Sequence, residues 1–283
     1  IVRRLKGNAE YAVGDYKAAS ATFLRAAEAD PTDPMIWHSK GMADEAGGDL
    51  DNAEQAYNRA VLLDMNEPEY WISRAAVLEK KKDTAGAVES LNRVIELRPD
   101  DIYALVKKGM IFAEMGKYDE ALYFVEMAAI IAPDDINVIR VKRDIAAASG
   151  NSEKAEKAAL KILDMDPADE EGLASAITIL TLEGKDDIVE GLIGNALKAK
   201  PKSVPILSMK KDFYMSKGDN RAVIDACTRI LALSDDRIVR KDLADAYAAA
   251  GDVNSASRLY SELGYRGGDP ENKLPETNRQ RQK

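Results

Sequence analysis

The residue types that most often carry chemistry are scarce in this sequence. His38 is the only histidine, so neither a His-rich metal site nor a Ser-His-Asp triad can be assembled. Cys227 is the only cysteine, which excludes an intrachain disulfide. The carboxylate pairs Asp134–Asp135, Asp186–Asp187 and Asp235–Asp236 stand in turns or at helix starts. There a carboxylate complements the helix dipole, whereas a metal would need further oxygen ligands converging on it. Lys80, Lys81 and Lys82 close a helical stretch, where cations are favourable for the same reason. No GxxxxGK[ST] loop, GxGxxG, CxxC or HExxH occurs. The expectation is a protein that is not an enzyme and carries no cofactor and no metal.

Composition narrows the partners. The 283 residues are 46% hydrophobic and 31% charged, with a formal net charge of −9. That balance disfavours nucleic acid and anionic membrane, which both reward clustered Lys and Arg. No apolar run approaches the ~20 residues that span a bilayer. The single cysteine and the absence of an Asn-x-Ser/Thr acceptor fit a reducing, cytoplasmic setting.

What positions the side chains is a repeat. Prolines recur at Pro31, Pro99, Pro133, Pro167 and Pro201, with Met65 in the skipped slot. Ala19, Ala53, Ala87, Ala121, Ala155, Val189, Val223 and Ala256 keep the same beat of 34, with a final step of 33. So do Gly14, Gly48, Gly116, Gly150, Gly184, Gly218 and Gly251, with Lys82 in the missing glycine's place. Each unit reads as two helical stretches of about a dozen residues divided by a Gly-containing turn. Asp or Asn follows the glycine and caps the next helix. One such hairpin cannot bury its apolar face alone, so neighbours must stack into an array with an inner surface.

With 34 positions per repeat, the second unit reads Trp37 at position 4, Gly41 at 8, Ala53 at 20, Tyr57 at 24 and Ala60 at 27. The first has Gly7, Ala19, Phe23, Ala26 and Pro31; the fourth has Gly109, Tyr118, Ala121, Ala128 and Pro133. This pattern resembles the tetratricopeptide repeat family, and in particular the generic repeat proteins abundant in archaea and bacteria. The resemblance implies an all-α fold, a right-handed superhelical solenoid of about eight repeats. Their approximate bounds are 1–33, 34–67, 68–101, 102–135, 136–169, 170–203, 204–236 and 237–263. Arg143, Ile177 and Lys211 occupy position 8 of repeats five to seven, where the family has glycine, so packing should differ there. Cys227 falls at position 24, a core position, and reads as a buried structural thiol. Residues 264–283, rich in Gly, Pro, Asn, Arg and Gln, are expected to be a disordered tail.

The resemblance also implies a binding site. Family members contact ligands mainly through positions 2, 5, 6, 9, 12 and 13 of the first helices. Here that stripe gives Met35, His38, Met42, Ile72, Tyr103, Val106, Lys107, Met110 and Arg140 as the expected groove. An inner surface with this much Met, Ile and Tyr suits an adaptable apolar partner. Glu45, Glu69, Glu79 and Glu114 beside it suggest basic residues in that partner. His38 reads first as a groove-lining polar residue. The family's carboxylate clamp is not expected: Arg4 and Asn8 match it, but Ser39, Glu69 and Ser73 do not. The function expected is a scaffold or adaptor that binds a protein or peptide. Alternatives are a homo-oligomer joined through an uncapped C-terminal hairpin ending near Leu263, or the regulatory repeat domain of a larger protein. RNA binding lacks a basic stripe.

Overall fold

The computed structural model describes residues 2–265, leaving most of the expected tail, 264–283, outside the described residues. Sixteen α-helices and no β-strand occur among them. In pairs they are α1 (Val2–Ala12) and α2 (Tyr16–Ala29), α3 (Pro34–Ala46) and α4 (Leu50–Leu63), α5 (Pro68–Lys80) and α6 (Thr84–Leu97), and α7 (Ile102–Glu114) and α8 (Tyr118–Ile131). There follow α9 (Ile136–Ala148) and α10 (Ser152–Met165), α11 (Glu170–Leu182) and α12 (Asp186–Ala199), α13 (Val204–Lys217) and α14 (Asn220–Leu231), and α15 (Arg237–Ala249) and α16 (Val253–Glu262). The architecture is an all-α repeat solenoid. The chain divides into two compact units, Ile1–Gly150 and Asn151–Lys283.

Helix ends follow from local chemistry. Asp15, Asp49, Asp83, Asp219 and Asp252 cap second helices, each side chain accepting from a backbone N–H three residues on. Asp135 and Asp236 cap α9 and α15, which accounts for one member of each of those acid pairs. Asp186 and Asp187 sit in the first turn of α12. The turn between paired helices needs a left-handed residue, which Gly48 supplies at φ 82°. Lys82 adopts the same conformation at φ 61° without glycine's freedom.

In unit 1, successive helices pack pair on pair from α1 to α9. Phe23, Tyr57, Leu78, Leu91 and Leu105 are fully buried. Position 8 meets position 24 across each hairpin. A Cβ on Gly41 would lie 2.6 Å from the Tyr57 ring, and one on Gly109 2.5 Å from Val125 Cγ2. Trp37 and Trp71 donate their indole N–H groups to the carbonyls of Pro31 and Met65, pinning the turns that precede them.

In unit 2, α10 to α16 pack in chain order around Ile162, Leu173, Leu180, Ile206, Leu207 and Ile230. Repeat seven inverts the position 8 to 24 rule. Lys211 takes the glycine's place and is nearly buried, while the facing position holds the small Cys227. Lys211 Nζ reaches Asp242 at 2.5 Å and Asp212 at 3.3 Å, so its charge is paired as its stem is buried. Burial pushes the Cys227 thiol up to about 11, against the opposing pull of Lys211. That describes an inert core thiol.

Candidate functional site

The expected groove residues lie on the first helices α3, α5, α7 and α9, all within unit 1. Met35, Met42, Tyr103 and Met110 are exposed. His38, Ile72, Val106, Lys107 and Arg140 are half-buried. Ile72 packs against the core cluster formed by Ala53, Tyr57, Ala75, Leu78 and their neighbours. It therefore belongs to the floor of the stripe, and Met35, Met42, Tyr103 and Met110 form its open part.

Polar bridges tie the first helices together along this stripe. His38 Nε2 lies 2.8 Å from Ser73 Oγ, and the imidazole ring rests against Tyr57 and Tyr70. Burial lowers the His38 pKa, against the opposing influence of Glu69, Glu67 and Glu45. Lys80 Nζ donates to Glu45 at 2.8 Å, and Tyr57 Oη donates to the same carboxylate at 2.7 Å. Lys107 Nζ donates to Glu79 at 3.0 Å. Burial works against the Lys107 charge, but the Glu79 hydrogen bond and charge outweigh it, so its pKa is raised.

These bridges revise the electrostatic expectation. Glu45, Glu69 and Glu79 are paired with Lys80, Arg98 and Lys107 at 2.8–3.0 Å. The carboxylates expected to draw a basic partner are thus engaged within the unit. Glu114 is exposed and forms no ion pair among the described residues. Arg4, the one matching clamp cation, lies 3.7 Å from Asp33 and 3.4 Å from Met35 Sδ.

A second apolar surface escaped the sequence reading, which stopped at repeat five. In unit 2, α11 and α13 form an open groove of ≈ 430 Å³ lined by Ile177, Thr178, Thr181, Leu182, Met209, Asp212 and Phe213. Thr178, Thr181, Leu182, Met209 and Asp212 stand at positions 9, 12, 13, 6 and 9 of their repeats, so the same stripe rule would have found them. In the last hairpin Leu259, Tyr260 and Leu263 are buried, and Tyr265 packs edge-on to Tyr260 at 5.8 Å. Among the described residues no cluster of three His, Cys, Asp or Glu side chains could hold a metal ion. No described helix is long and apolar enough to cross a membrane.

Paired helices at a constant spacing, close packing of position 8 on position 24 in the first hairpins and an open stripe on the first helices define a helical-repeat protein of the interaction class. The tetratricopeptide repeat family model matches residues 4–68 and 73–136. Those two stretches, both within unit 1, carry tetratricopeptide repeats. No curated protein sequence matches the chain. Among solved structures it is similar to the C-terminal part of a TPR repeat-containing protein from Cytophaga hutchinsonii, with TM-score 0.69 and 14% identity, over 84% of this chain and 98% of that one. It is also similar to a tetratricopeptide repeat protein from Parabacteroides merdae, with TM-score 0.57 and 13% identity, over 86% and 97%. YrrB, described as a TPR protein with an unusual peptide-binding site, matches with TM-score 0.54 and 15% identity, over 67% and 97%. At these identities the likeness is one of fold.

Proposed function

We propose that the protein is a non-catalytic interaction scaffold that receives an apolar segment of a partner protein on the inner stripe of unit 1. The observation that carries this reading is the exposure of Met35, Met42, Tyr103 and Met110 along helices otherwise tied together by polar bridges. Side chains in contact only with water gain nothing from being apolar, and methionine adapts its shape to what it meets. The partner is chiefly apolar, because three of the four nearby carboxylates already have internal cations. YrrB's described peptide binding supports the same general role. The groove between α11 and α13 offers unit 2 a stripe of the same kind. A cytoplasmic setting accords with the single buried cysteine.

The test is selection from a random-peptide display library on the immobilised chain, followed by titration of the resynthesised peptides. Met42→Glu with Met110→Glu should weaken apolar peptides about a hundredfold, since two charges would replace two apolar contacts. Both sites are exposed, so the helical circular dichroism should not change. Peptides that bind the double variant as tightly as the wild type would remove this stripe from the account.

A further inference from the structure

The outer side of unit 1 carries a feature that the repeat makes visible. Position 7 of the first helix is basic in most repeats. Lys6, Lys40, Arg74, Lys142 and Lys210 each have a carboxylate partner, at 3.5, 2.6, 3.1, 3.6 and 2.5 Å respectively. Lys108 occupies the same position in repeat four, and no carboxylate lies within ion-pair distance of it among the described residues. Two of the partners explain the difference. Glu89 and Asp225 serve Arg74 and Lys210 from position 22 of the second helix, where α8 has Tyr123 instead.

Aromatic rings have replaced the carboxylate. Lys108 Nζ lies 3.9 Å from the centroid of Phe124, which stacks on Phe112 at 5.6 Å and meets Tyr123 edge-on at 5.1 Å. The rings hold the ammonium but accept no conventional hydrogen bond from it. Its pKa is lowered by burial with no carboxylate offsetting it. Lys117 adds a second cation 5.7 Å from the Phe112 ring.

The patch extends along α8. Tyr123 and Ile130 are two turns apart on one face, 59% and 80% exposed. The corresponding outer positions of α6 are Glu89 and Glu96, and those of α10 are Lys157 and Asp164. On α4 Leu62 is exposed at the Ile130 position beside the polar Gln55, so the pairing of an aromatic with an aliphatic side chain distinguishes α8, whose neighbouring lysine lacks its carboxylate. A ligand that supplied the carboxylate and covered the face would satisfy both.

We propose that the outer face of α8, with Lys108, Phe124, Tyr123 and Ile130, docks a partner segment in which an Asp or Glu stands beside aliphatic or aromatic side chains. The carboxylate accepts hydrogen bonds from the Lys108 ammonium over Phe124, and the apolar side chains lie on Tyr123 and Ile130. This surface is separate from the stripe on the first helices, so one chain could hold two partners together.

The probes are peptides from the random display library, sorted by whether the Met42→Glu/Met110→Glu variant retains them. Those it retains should be enriched in Asp or Glu next to Leu, Ile or Phe. Their affinity should fall about tenfold on Lys108→Met, which keeps the stem over Phe124 and removes the charge, and at least as far on Ile130→Glu. Exchanging the peptide's Asp for Asn should reproduce the Lys108→Met loss and add nothing further to it. Retained peptides without an acidic preference, no retained peptides, or affinity unchanged by Lys108→Met would each overturn the proposal. So would sedimentation showing a wild-type dimer that Ile130→Glu dissolves, because the occupant would then be a second copy.

Discussion

His38 on α3 and Ser73 on α5 are joined by a 2.8 Å hydrogen bond between Nε2 and Oγ, linking position 5 of one repeat to position 6 of the next. Burial holds the imidazole below its ordinary pKa of 6.5. The unfolded chain therefore takes up a proton first as pH falls, and stability is complete above about pH 6.5 and is lost below it. Thermal melts at neutral pH and near pH 5 should show a larger loss for the wild type than for His38→Gln. Equal losses would mean that the imidazole stays neutral, or that protonation is compensated by Glu69 and its neighbours.

Gly109 is required for close approach. In an open helix, Gly→Ala stabilises by about 0.5–1 kcal/mol. At Gly109 the added methyl would meet Val125 Cγ2 at 2.5 Å and the Ala121 carbonyl at 3.0 Å. Gly109→Ala should therefore destabilise by about 1–3 kcal/mol, as overpacking does. Gly191→Ala on α12, with no neighbour within 4 Å, should stabilise instead. Denaturant midpoints of the two variants should move in opposite directions, and a shared direction would refute the packing argument.

Lys82 holds a left-handed backbone, φ 61°, in the slot where other repeats place glycine. A side chain there costs about 1 kcal/mol. Lys82→Gly should raise the melting temperature, and a fall would assign the lysine a contact worth more than its strain.

Much of this architecture could be read from spacing. The beat of Ala53, Ala87 and Ala121 located the second helices, and Gly48 with its equivalents located the turns. Lys82 was identified as a substitute glycine because the period demanded a residue there. The site was less legible, for a physical reason. Periodicity tells which face a residue occupies, but not what a long side chain does once there. Glu79 and Lys107 lie 28 residues apart in the chain, and their ion pair depends on the stacking of two separate hairpins. Ile72 and Met110 both fell on the expected stripe, yet one became floor and the other surface, because burial depends on neighbours in adjacent repeats. Lys211 and Cys227 show the opposite case. The departure from glycine was visible, while the small residue that accommodates it gained meaning only once the two were seen to face each other.

The division into two units falls between α9 and α10, which belong to a single sequence repeat. α9 packs on α7 and α8 in unit 1, burying Val138 and Ile139, while α10 packs on α11 in unit 2. A unit boundary thus falls inside a sequence repeat, although the repeats before it each pack as whole hairpins. A fragment cut where the text of the repeat ends, at residue 135, would strip α8 of its cover. One cut at Gly150 would keep it, with α9 serving as a lid on four complete hairpins.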